Sequence, residues 1–104
     1  MSQTTQHNAE TYPGTESLTD SEYHRLMAVK RRRTTLTALA ELNFPVDLEE
    51  LAAAIGKREM NGAALDETTI DQIATELHHI HLPKMDSLGV INYDQDANRV
   101  IAWS

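Results

Sequence analysis

Three histidines, His78, His79 and His81, crowd the stretch "TELHHIHLPKMDSLGV" (residues 75–90), with Pro83 close behind. On a helix, His78 and His81 lie near one face and His79 points elsewhere. Two imidazoles one turn apart can begin a metal site, but a closed zinc site takes four ligands and a catalytic one three. The chain has no cysteine, so a third ligand would have to come from His24, Glu76 or a second copy. The metalloprotease pattern H-E-x-x-H is missing. The spacing favours a packed His81, with His78 and His79 exposed near DNA or a partner; pH or metal sensing is the minor alternative.

A second cluster is "KRRR" at 30–33, four of the nine basic residues. It opens a helix, where the dipole disfavours cations by a few tenths to about 1 kcal/mol. Phosphate oxygens can offset that cost, since guanidinium forks match them. Neighbouring carboxylates, Glu22 among them, can do the same. Catalysis finds no nucleophilic cysteine, glycine-rich phosphate loop or serine elbow, so an enzyme is not expected, nor any cofactor. "DQDAN" (94–98) imitates the start of a calcium loop, but Arg99 stands where the loop needs glycine and the twelfth position falls beyond Ser104.

The elements that must position these residues can be read from caps and periodicity. Residues 1–17 are polar and read as a disordered or loosely docked tail, leaving 18–104 as one domain. "TDSE" (19–22) has capping-box form and opens a helix with Tyr23, Leu26 and Met27 on one side. After a break near "AVK", Leu36, Leu39, Ala40 and Leu42 recur at helical spacing until "NFP" ends the run. In "VDLEEL" Asp47 caps and Val46 staples to Leu51, starting a helix for which Gly56 is the expected stop or weak point. "KREMNGAA" reads as loop. In "LDETTI", Asp66 caps a long helix over 67–88, with Ile70, Ile73, Ala74, Leu77, Ile80 or His81, Met85 and Leu88 inward. Pro83 predicts a kink, because it removes a bond to the His79 carbonyl and crowds it. Ile91, Tyr93 and residues 99–103 then form two strands of a hairpin around "DQDAN". The chain is thus mainly α with a C-terminal β-hairpin, in the order of a winged helix-turn-helix.

Sixteen acids face nine bases, for a net charge of −7, and only three bases are lysine. Such a composition suits a salt-rich cytoplasm. There the Debye length falls to about 3 Å at molar salt, so local charge matters more than net charge. No apolar run is long enough to span a bilayer and no signal-peptide layout is present; a soluble, cytoplasmic protein is expected.

Three segments, "KRRRTTLTALAEL", "VDLEELAAAI" and "LHHIHLPKMDSLGVINYD", together resemble a widespread family of small uncharacterised winged-helix domains in halophilic archaea. More distantly they look like ArsR-type regulators, across roughly residues 26–103. The resemblance implies transcriptional regulation through double-stranded DNA, commonly by a homodimer. On that reading Arg31, Arg32, Arg33, Lys57 and Arg58 hold the DNA backbone, and Thr68, Thr69, Gln72, Thr75 and His79 face the bases. Tyr23, Leu26 and Met27 are the expected dimer seam. One departure is the connection from Gly56 to Glu67, far longer than a compact helix-turn-helix uses. The alternative is a protein–protein interaction module: a basic stripe joining 30–33 to 57–58 favours DNA, a dispersed pattern a protein partner. No small-molecule substrate is evident.

Overall fold

A computed structural model describes residues 12–61 and 65–104. The tail up to residue 11 and residues 62–64 of the expected loop lie outside the described residues. The chain is mainly helical, with a small three-stranded antiparallel sheet. Its elements are α1 (Asp20–Met27), α2 (Lys30–Glu41), β1 (Val46–Asp47), α3 (Leu48–Glu59) and α4 (Glu67–Glu76). A π turn (Leu77–His81) follows, then α5 (Leu82–Ser87), β2 (Ile91–Asp94) and β3 (Arg99–Trp103).

Local caps place the helices. The Thr19 side chain accepts from the Glu22 backbone while Glu22 reaches back to the Thr19 N–H, a complete capping box. Asp66 accepts from Thr69 N–H at 2.8 Å and starts α4. Asp47 stands at the N-cap of α3, but its carboxylate makes no capping bond. It pairs instead with Arg99, its partner in the sheet register, at 3.0 Å.

Every element except the hairpin turn contributes to one core. Leu26, Leu36, Leu51, Ile55, Leu77, Leu82, Met85 and Val100 are all fully buried. In α2 the buried alanine is Ala38 and Ala40 is exposed, since Ala38 lies nearer the stripe of Thr35, Leu36 and Leu39. The expected seam on α1 is core rather than surface: Tyr23 and Leu26 are buried within the chain and Met27 packs partly against them. An apolar stripe identifies a buried face but not what buries it.

One further expectation gives way, the one at Pro83 gains its geometry, and one strand is added. Gly56 does not stop α3, which continues to Glu59. A Cβ at Gly56 would lie 2.8 Å from Leu65, so glycine here permits close approach of the chain leading into α4. The connection between α3 and α4 therefore shrinks to 60–66. Pro83 is accommodated by the π turn: Leu82 N–H bonds to the Leu77 carbonyl, five residues back. That opens the ladder where a proline ring would crowd the His79 carbonyl. Finally, β1 is a strand the sequence reading lacks. Val46 and Asp47 pair with Val100 and Arg99, giving the sheet order β1-β3-β2. The hairpin itself is present, with Ile91 opposite Trp103 and Tyr93 opposite Val100.

The segment from Tyr12 to Leu18 is packed onto this body. Tyr12 Oη meets Thr37 Oγ1 at 3.1 Å, Thr15 is fully buried, and Leu18 enters the core. Gly14, at φ +83°, sits against the Val90 carbonyl.

Candidate nucleic-acid interface

Helix α4 turns Ile73 and Ala74 inward and, with them, fixes what points out. Thr68, Gln72, Thr75 and His79 are exposed along one face, and together with Asp71 and Ile80 they line one shallow groove. Thr69 is half-buried beside the cap, so it stands apart from that face. A second groove runs between α4, the start of α3 and the hairpin turn. Its walls include Asp47, Glu49, Asp71, His78 and Asn98.

The arginines do not form an open basic stripe. Arg31 grips Glu59 through Nε and Nη2 (2.5 and 2.8 Å) and Glu76 through Nη1 (2.6 Å), tying α2 to the end of α3 and the end of α4. Arg32 donates from Nη1 to the Arg25 carbonyl at 3.3 Å, and Arg33 from Nη1 to the Met27 carbonyl at 2.6 Å. Both bonds satisfy carbonyls at the C-terminal end of α1, where the helix dipole also favours cations. The dipole cost at the start of α2 is thus offset within the fold, by Glu59 and Glu76 rather than Glu22. Arg58 pairs with Glu41. Lys57 is exposed and, among the described residues, has no ion pair.

The histidines separate by role. His81 is buried at 6% exposure, His78 is half-buried and His79 exposed. His78 Nδ1 lies 2.6 Å from Tyr93 Oη, joining α4's end to the hairpin. Burial, reinforced by Asp94, pushes the Tyr93 phenol above its usual range, so it stays protonated. No group of three His, Asp or Glu among the described residues is arranged to hold a metal ion. Sequence reasoning missed the His78–Tyr93 bond, and it left open whether Ile80 or His81 turns inward; the π turn shifts the phase after α4 so that His81 is inside and Ile80 is 52% exposed.

A model of the domain of unknown function DUF7344 matches residues 24–101. The chain belongs to that family. The DUF7344 match takes in α2 through most of β3, including Arg31, all of α4 and the histidines; the capped start of α1 and the Tyr12–Leu18 segment precede it. No curated protein and no solved structure matches the chain.

Within this DUF7344 domain His81 lies between Arg32 of α2 and Glu76 at the end of α4. Its Nδ1 faces Arg32 Nε at 3.4 Å and its Nε2 faces Glu76 at 3.4 Å. An N–H arriving at Nδ1 assigns the neutral ring its proton on Nε2, toward Glu76. Burial lowers the His81 pKa below the ordinary 6.5, Glu76 opposes this, and Arg32 and Arg31 add to it. The unfolded chain therefore binds a proton that the folded chain resists, and stability rises with pH across that interval. His81 contributes its full share above about pH 6.5 and loses it as pH falls through the lower folded value. Thermal midpoints measured from pH 7.5 to 5 should decline, and His81→Gln should flatten the decline; equal slopes in both proteins would remove His81 as the cause.

Proposed function

We propose that this chain is a winged helix-turn-helix DNA-binding transcriptional regulator. On this reading α3 and α4 are the helix pair, α4 enters the major groove, and the β2–β3 hairpin is the wing. The observation that carries it is β1. A winged helix has a short strand just ahead of its helix-turn-helix pair that pairs with the second strand of the hairpin. Here β1 falls between α2 and α3 and pairs with β3. The exposed polar face of α4 supplies further support, since Thr68, Gln72 and Thr75 all face outward there. The acidic, lysine-poor composition fits work in a salt-rich cytoplasm, as the resemblance to halophilic domains implies.

Backbone contact shifts on this reading from the arginines to lysines. Lys30 lines the same hollow as Ile80 at the edge of the α4 face, and Lys57 is exposed with no ion pair among the described residues. The wing tip, with Asp94 and Asp96 exposed, repels phosphate and contributes little grip. A homodimer would use a surface other than the buried Tyr23 and Leu26, for instance around Ile101, which is 43% exposed.

A second reading, a protein–protein interaction module, draws on one observation: Arg31, Arg58 and Arg99 are each neutralised by a carboxylate. Fluorescence anisotropy with mixed duplex fragments across a KCl series separates the two. DNA reading through α4 predicts saturable binding that weakens at least about tenfold in Gln72→Ala/Thr75→Ala, with the thermal midpoint unchanged. Absence of binding at every salt at which the protein is folded would overturn it in favour of the protein-partner reading.

A further inference from the structure

The chemistry of the α4 face also limits what it can read. Between Glu67 and Pro83 there is no lysine or arginine, and the nearest arginine, Arg31, is held by Glu59 and Glu76. The commonest reader of guanine, a cation forked onto O6 and N7, is therefore missing from α4 itself, and Lys30 at the edge of the face is the backbone contact. What the face does offer is an amide, Gln72, whose oxygen and nitrogen match adenine N6 and N7. Beside it are the methyl groups of Thr68 and Thr75 and the side chain of Ile80. Ile80 is half in solvent, on a helix that buries its other large aliphatic side chains at least partly. Exposed apolar groups set among hydroxyls and an amide match the one apolar feature of the major groove, the thymine 5-methyl. Asp71, exposed in the same groove, accepts from the amino group of cytosine or of adenine and repels phosphate, so it does not separate the two pairs. His79 is neutral in this choice, since a ring N–H reaches N7 of either purine.

Resting on the DNA-binding reading, we infer that α4 selects A·T steps in the major groove, with Gln72 on adenine and with Thr75 and Ile80 against the thymine methyl. G·C pairs are disfavoured because nothing on the face satisfies the paired acceptors of guanine as a fork.

The test begins with selection of duplexes carrying a randomised centre, by the full chain at high KCl. A·T steps should be enriched. Replacing thymidine by deoxyuridine in the selected duplex removes only the 5-methyl, and should weaken wild-type binding several-fold, up to roughly tenfold. Ile80→Ala and Thr75→Ser, both at exposed positions, should bind less tightly and lose most of that sensitivity. Replacing adenine by 7-deazaadenine should likewise penalise wild type and not Gln72→Ala. Enrichment of G·C centres, or wild-type binding indifferent to the methyl, overturns this inference while leaving DNA binding intact. No enrichment and no binding at any salt overturns both.

Discussion

Replacing Arg31 with alanine lowers the unfolding free energy by about 2 kcal/mol. The estimate starts from the ~3–5 kcal/mol typical of breaking a buried charge pair. It is reduced because the Arg31 side chain keeps 23% exposure and solvent screens the pairs. For a domain of this size the loss corresponds to a fall of roughly 10 °C in the thermal midpoint. Two carboxylates lose their partner at once: Glu59 its two-point contact and Glu76 its shortest bond. Among the described residues Glu76 then keeps His81, whose buried ring resists the charge that would replace the arginine. Arg33→Ala, which removes one bond to the Met27 carbonyl from an exposed side chain, should cost well under half as much. Paired melting curves of the two variants decide the matter. If Arg31→Ala melts like wild type, the guanidinium is free in solution, and its assignment to the DNA backbone returns.

The second large effect is expected at Gly14. Alanine there would carry φ +83°, a region that costs an L residue about 1–2 kcal/mol. Its Cβ would also fall 2.1 Å from the Val90 carbonyl oxygen. That oxygen accepts the Ser104 N–H as well, at 3.0 Å, so it cannot move freely. Backbone rather than a pliant side chain meets the new atom, so the segment must lift. With it go the Tyr12–Thr37 bond, buried Thr15 and the seating of Leu18. A total of about 3 kcal/mol is expected, limited by what docking of the segment contributes. Hydrogen exchange over residues 12–18 should rise sharply in Gly14→Ala, with a lower thermal midpoint. Unchanged exchange would mean that the segment does not rest on Val90 in solution.

Those two sites also mark where sequence reasoning reaches its limit. Local devices were readable because their partners are three residues apart: the Thr19–Glu22 box, the Asp66 cap and the turn after Asp94. The helix order and the hairpin followed from periodicity and turn residues. Distant pairings left no local trace. Two residues, Val46 and Asp47, make too short a run to announce a strand, and only Val100 and Arg99, far along the chain, turn them into one. The charge of Arg31 and its dipole cost at the start of α2 are plain in the sequence, but nothing near it in sequence points to Glu59 or Glu76. Likewise the stripe of Tyr23, Leu26 and Met27 announced burial without saying that the same chain supplies the cover. Of the candidate site, Thr68, Gln72, Thr75 and His79 were legible because one helix face is a local property. At Ile80 and His81 periodicity leaves open which one turns inward, and the π turn puts His81 inside and Ile80 out.

The π turn at Leu77–His81 has a meaning in terms of insertions and deletions. Its ladder bond spans one residue more than an α turn, so it behaves as a single added residue absorbed without breaking the helix. Removing one residue from this stretch would restore a plain α-helix and leave Thr68, Gln72 and Thr75 facing as they do now relative to Leu82 and Met85. Without the wide turn, the same extra residue would rotate everything beyond it by about 100° relative to what precedes. The π turn thus carries an odd residue between the outward face and its anchor while both keep their aim.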